Sequence, residues 1–215
     1  MRSPLSWIVK GIDGCGDPNP MPILAHIYTE DRVSDKDQGM GLDRGTVVSW
    51  YERIRARSRA LFDLLAEDAY YSQPIDLRHP IVFYEGHLPA FSFLTLVRKG
   101  LGCPSIDLRL ETLFARGIDP AESEAPETTK PHDRRLEWPS RDLVRQFAQE
   151  ADRRVLDALE HGDVDRPGHP LLDRAEAVFA ILEHEAMHQE TLLYMWHQLP
   201  LEKKRRPAGY ALRTD

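Results

Sequence analysis

Apolar residues recur at three- and four-residue spacing in four separated stretches of the chain, the signature of helices with one buried face. In the first, Val47, Tyr51, Ile54, Leu61 and Leu65 form the stripe, with Arg53, Arg55, Arg57 and Arg59 filling much of the remaining surface. This predicts a helix from Thr46 to about Asp68, its arginines on a solvated face beside acids. The second begins near Pro80, a residue favoured in a first turn, and runs to Lys99, with Gly100 just past its end and a kink or loosened turn expected at Pro89. Ser140 is a good N-cap with Asp142 in the turn after it, so the third helix spans Ser140 to about Glu160 and buries Val144, Phe147, Ala151, Val155 and Ala158. Pro170 opens the fourth, and Pro200 stops it. Leu171 to Leu199 as one helix would extend ~43 Å.

No segment alternates apolar and polar residues as a half-buried strand would, so the fold class is all-α: a four-helix bundle with a long connection between helices 2 and 3. That connection, Leu101 to Trp138, holds a short apolar piece around Leu108 to Phe114 that suits one or two helical turns. Its middle, Asp119 to Pro131, reads as an exposed acidic loop bordering a site, where Arg109, Arg116, Arg134 and Arg135 are candidates to meet a carboxylate. Breakers crowd residues 1–42, as in Gly14-Cys15-Gly16-Asp17-Pro18-Asn19-Pro20, so an extended or partly disordered arm carrying a solvated His26 is expected there. The bundle then occupies 43–200, and 201–215 form a basic tail.

Composition narrows the function classes. At 215 residues with 41% hydrophobic and 29% charged content, the chain is long enough for a core without staples. A formal charge of -7 argues against nucleic acid or an anionic membrane surface as partner. No apolar run approaches the ~20 residues that span a bilayer. Cys15 and Cys103 are too few for a disulfide framework, and the start of the chain lacks the pattern of a secretory signal, so a cytoplasmic protein is expected.

Candidate chemistry concentrates in Glu183-His184-Glu185-Ala186-Met187-His188-Gln189-Glu190. Four residues apart on a helix, His184 and His188 share one face, and Ala177, Ile181, Thr191, Leu192 and Met195 make that face apolar. Two inward imidazoles in register can hold one metal ion. In helix two, His87 shares a stripe with Phe83, Phe91 and Leu94 and becomes the candidate third ligand; His79 reads as a helix-start residue, and His132, His161, His169 and His197 fall off the apolar stripe. Three imidazoles without a carboxylate would leave two or three positions open on an octahedral ion, which suits Fe(II), whereas tetrahedral zinc would keep one. The string His184-Glu185-Ala186-Met187-His188 also fits the zinc-peptidase pattern, but such enzymes set a sheet beside that helix and no strand is expected here. Glu185 is then expected to hold an imidazole or a neighbouring arginine.

The run His184 to Leu193, the Gly86-His87-Leu88 segment and the helix lengths resemble the DinB-like N-terminal domain of the ergothioneine-type sulfoxide synthases, over about residues 43–206. That resemblance implies His87, His184 and His188 as ligands of Fe(2+). It also implies O2-dependent joining of the sulfur of a low-molecular-weight thiol to a histidine-derived substrate. In the family this bundle is normally fused to a C-terminal formylglycine-generating-enzyme-like domain, which here would come from a partner protein, unless the sequence is a truncated gene product or a domain kept for another purpose. The chain departs from the family in carrying Met187, where a polar Gln often precedes the last ligand. Two other functions fit the same residues: a stand-alone thiol-dependent transferase using Zn2+ or another divalent metal, and a catalytically silent, metal-stabilised interaction bundle.

Overall fold

The computed structural model describes residues 42–116 and 138–207. The N-terminal arm with His26 and Cys15, and the acidic loop with His132, Arg134 and Arg135, lie outside the described residues. Five helices follow in order: α1 Arg44–Asp63, α2 Ile81–Ser92, α3 Leu108–Phe114, α4 Arg141–His161 and α5 Glu176–Gln198. Among the described residues there is no strand, only an isolated antiparallel bridge between Leu65 and Lys204. The fold is all-α, a helical bundle built on α1, α2, α4 and α5. No helix among the described residues is long and apolar enough to cross a membrane.

α2 is the axis of the bundle. Ile81, Val82, Phe83, Tyr84, Gly86, His87, Leu88, Pro89, Ala90 and Ser92 are all buried, so this helix is enclosed on every side rather than amphipathic. It runs on into wider π-helical turns over Phe93–Gly100, in which the Leu101 amide donates across five residues to the Leu96 carbonyl at 3.0 Å. The loosening expected at Pro89 therefore comes about one turn later. Gly100 belongs to the π segment, close against Leu172, and the left-handed glycine after the helix is Gly102, with φ +70°.

Two helices are shorter than the pattern implied. α1 stops at Asp63 instead of Asp68 because the chain beyond it pairs with the C-terminal segment: the Ala66 amide donates to the Lys203 carbonyl at 2.9 Å and the Arg205 amide to that of Leu64 at 2.6 Å. α5 starts at Glu176 instead of Leu171, since Arg174 and Ala175 take left-handed φ of 52° and 56°. The backbone ahead of the break is satisfied without a helix. His169 Nδ1 accepts from the Leu171 and Leu172 amides, both at 3.2 Å, and Arg166 donates to the Leu172 carbonyl at 2.9 Å, while Leu172 and Ala175 dock in the core. The 23 residues that remain span ~34 Å rather than 43 Å. α4 matches its expectation, with Ser140 Oγ accepting from the Leu143 amide at 3.3 Å and the foreseen apolar stripe buried. Arg44 ties α1 to the end of α4 by donating to the carbonyls of Leu159 and Gly162, both at 2.7 Å, where the negative end of the α4 dipole lies.

α3 packs on α2 through a glycine. A Cβ on Gly86 would lie 2.3 Å from the buried ring of Phe114, so only glycine lets the two helices approach so closely. Gly→Ala in a helix normally stabilises by ~1 kcal/mol. Here overpacking, at ~1–3 kcal/mol or more, outweighs that gain. Gly86→Ala is therefore expected to lower the urea midpoint, and an unchanged or raised midpoint would contradict this packing.

Candidate metal centre

α2 and α5 run antiparallel, and their aromatic residues pair in sequence along the seam. Phe91 stacks on His184 with ring centroids 3.5 Å apart, His87 lies 5.0 Å from His184 and 5.1 Å from His188, and Tyr84 is 5.7 Å from His188. One ring nitrogen from each of His87, His184 and His188 falls within 4.8 Å of the others, and all three residues are buried. The Nε2 atoms of His87 and His184 face each other at 3.2 Å. Two nitrogens at ~2.1 Å from a shared ion sit ~3.0 Å apart at a right angle and ~3.4 Å apart in a tetrahedron, so the observed spacing suits a common ion.

The tautomer of His87 is set from α3. Its Nδ1 donates to the Phe114 carbonyl at 2.7 Å, which leaves Nε2 as the lone-pair nitrogen turned toward His184. α3 is in turn fixed by Glu111, whose buried carboxylate accepts from Ser105 Oγ at 2.6 Å and from the amides of Ile106 and Asp107 at 2.7 and 3.2 Å, with Arg98 at 3.3 Å on its other oxygen. Phe83, stacked at 4.8 Å, covers the His87 ring. His79, expected at a helix start, is buried and packs on the other side of the cluster's aromatic layer, 4.1 Å from Phe83.

Burial keeps the rings neutral. It pushes the His87 imidazole down to about 4, the bond to Phe114 opposing the shift, and His188 down to about 2. His184 is held well below the usual imidazole range, first by burial and then by its two neighbours. A neutral ring has one N–H and one lone pair to satisfy, yet His184 Nδ1 and both nitrogens of His188 have no hydrogen-bond partner among the described residues. Each orphaned buried group costs ~1–3 kcal/mol. A shared cation would take up the lone pairs, so the residues fit a metal ion.

A neighbouring face of α5, turned toward α1, carries a different polar set. Glu185 Oε1 accepts from Arg55 at 2.7 Å and from Ser58 Oγ, and Gln189 Nε2 donates to the Ile54 carbonyl at 2.8 Å and to Ser58 Oγ at 2.9 Å. Arg55 also donates to Asp152 on α4 at 2.8 Å, as does Tyr51 at 2.9 Å. Arg55 is thus buried between three helices, not on a solvated face, and it is the arginine that holds Glu185. Burial raises the Glu185 carboxyl above its ordinary value while the Arg55 charge opposes it. Bound to α1, Glu185 is not placed as the general base of a zinc peptidase, and no sheet among the described residues accompanies α5.

Other sequence candidates fall away from the cluster. Arg109 is exposed on α3 and Arg116 half-buried after it; His161 and His197 are exposed, and His169 caps the turn before α5. The cation whose charge reaches His188 and Tyr84 is Arg78, which no periodicity marks because it lies in the loop before α2.

A profile of the DinB superfamily matches residues 51–192, the span from α1 to α5 that contains all three histidines. The chain belongs to the DinB superfamily. Ergothioneine biosynthesis protein 1 of Neurospora crassa is 32% identical over 136 residues, which is 63% of this chain and 15% of that protein. Its namesake in Schizosaccharomyces pombe is 32% identical over 145 residues, 63% of this chain and 17% of that one. The chain spans about a sixth of the length of these relatives.

Replacing one member of the buried ion pair strands the other. Arg55→Met is expected to cost ~3–5 kcal/mol in urea unfolding, and Arg55→Met with Glu185→Leu to cost much less than the sum of the single changes. Additive losses would show that the two groups are not coupled.

Proposed function

We propose that His87, His184 and His188 bind one divalent metal ion, and that Fe(II) is the physiological one. The observation that carries this reading is the convergence of three neutral imidazoles, two of them with orphaned nitrogens, without an Asp or Glu among the described residues joining the cluster. Such a set leaves three positions open on a six-coordinate ion, as a reaction between two bound molecules needs. Bound there, Fe(II) would supply oxygen-activating redox chemistry.

The relatives are by name ergothioneine biosynthesis proteins, which supports the same reading. The activity we assign is O2-dependent carbon–sulfur bond formation between a low-molecular-weight thiol and a histidine-derived acceptor, with a second domain or partner protein completing the site. The chain's own residues do the holding. The Phe114 carbonyl fixes the His87 tautomer, Phe83 and Phe91 stack on the ligand rings and keep water from them, and Tyr84, whose hydroxyl burial pushes up to about 12, stays protonated beside His188. Met187, half-buried in the motif, presents a thioether where related proteins often carry an amide; it favours an apolar edge on the acceptor.

Fe(II) added anaerobically is expected to bind at one equivalent and, at a hundredfold excess over its dissociation constant, to stabilise the fold by ~2.7 kcal/mol, read as a rise in melting temperature. His184→Ala and His188→Ala are each expected to abolish tight binding while the far-ultraviolet circular dichroism stays helical; a variant that keeps one equivalent at wild-type affinity would refute the ligand assignment. Thiol-dependent O2 uptake by the loaded protein, with a formylglycine-generating-enzyme-like partner, tests the chemistry. Metal-dependent stabilisation with no uptake for any thiol would leave an interaction bundle. Thiol conjugation without O2 consumption would instead identify the transferase.

A further inference from the structure

Two half-buried arginines, Arg78 and Arg116, show no ion pair with a carboxylate among the described residues, and Arg78 is the one whose charge reaches His188. Arg55, Arg98, Arg141 and Arg154, each buried or half-buried, are in ion pairs with Glu185, Glu111, Glu85 and Glu150. Arg78 is half-buried too, yet no carboxylate among the described residues pairs with it, and its guanidinium carbon lies 5.8 Å from the ring centroid of Tyr194. Its backbone is held on both sides: the amide donates to the Ile75 carbonyl at 2.9 Å, and the carbonyl accepts from Gln73 Nε2 at 2.7 Å. The side chain therefore starts from a fixed point, just ahead of Pro80 where α2 begins.

Its position relative to the histidines follows from the antiparallel seam. Phe91 faces His184, His87 faces both His184 and His188, Tyr84 faces His188, and the next step outward pairs Arg78 with Tyr194. Arg78 thus follows Tyr84 outward along that seam, with the Tyr194 ring beside it. A half-buried guanidinium on an aromatic wall is a planar fork of donors, which a carboxylate matches with two parallel hydrogen bonds. A phosphate presents the same pair of oxygens but, being doubly charged, is ordinarily met by several cations or a helix N-terminus, and the titration below separates the two.

We propose that Arg78 anchors a carboxylate of the molecule that binds at the three-histidine site, and so selects amino-acid-like substrates over amines and esters of the same shape. This rests on the metal-site reading for the position of the reacting end, but the anchor itself is a property of the chain. The test follows the Nε–Hε resonance of Arg78, assigned by its loss in Arg78→Gln, in nitrogen-15-labelled protein titrated with cysteine, cysteine methyl ester, cysteamine and inorganic phosphate. Titrations are run metal-free and with Zn(II).

Cysteine is expected to shift the resonance saturably, and the ester, cysteamine and phosphate to leave it unmoved. With Zn(II) bound, cysteine should bind roughly tenfold or more tightly than its methyl ester. Arg78→Gln should abolish that preference with unchanged zinc affinity, and Arg78→Lys should keep part of it. A resonance that responds to no carboxylate in either form, a response to phosphate alone, or a Gln variant that keeps the preference would overturn the proposal. Failure to bind metal while cysteine still shifts Arg78 would sink the metal reading and leave the anchor standing.

Discussion

Three imidazole rings enclosed in an apolar seam impose the constraint on which the rest of the bundle depends. Burial holds them neutral, and neutrality leaves lone pairs that water cannot reach. Around that cluster the chain spends its most demanding packing: a central helix buried on all sides, a glycine that admits the Phe114 ring, and aromatic faces laid over His87 and His184. The same turns of α5 that aim two histidines at α2 aim Glu185 and Gln189 at α1. One helix therefore carries two polar seams on different faces, and its register is fixed from both sides.

Much of this could be read from the pattern of residues. The helical period exposed the bundle and the stripe of α4, the i, i+4 spacing placed His184 and His188 together, and the inward stripe of α2 picked out His87, which the structure brings to them. The family resemblance agrees with the superfamily match to residues 51–192. What periodicity could not carry was anything decided by contacts distant in sequence. α1 ends early because Lys203 and Arg205 pair with Ala66 and Leu64 just beyond it, and α5 begins late because His169 satisfies the amides ahead of it.

Arginine chemistry was the least legible part. Arg55 reads as one of a run with Arg53, Arg57 and Arg59, yet it lies one turn from Tyr51 on the buried face and is enclosed because Asp152 on α4 and Glu185 on α5 face it from two directions. Arg78 gives no periodic signal at all, since it sits in a loop whose course is set by Gln73 and by the amides of Ile81 and Val82 reaching back to Ser72 and Tyr70. In both cases the sequence shows a positive charge, and only the packing shows whether that charge already has a counter-ion.

The bond from His87 to the Phe114 carbonyl also links the cluster to the long connection between α2 and α4. Because Glu111 clamps α3 to Ser105, Ile106 and Asp107, that carbonyl cannot yield without the whole short helix turning. Any occupant that draws the His87 ring toward itself therefore pulls on the rigid stem from which the connection departs. Up to Phe114, variation in the connection is therefore felt at the His87 ring.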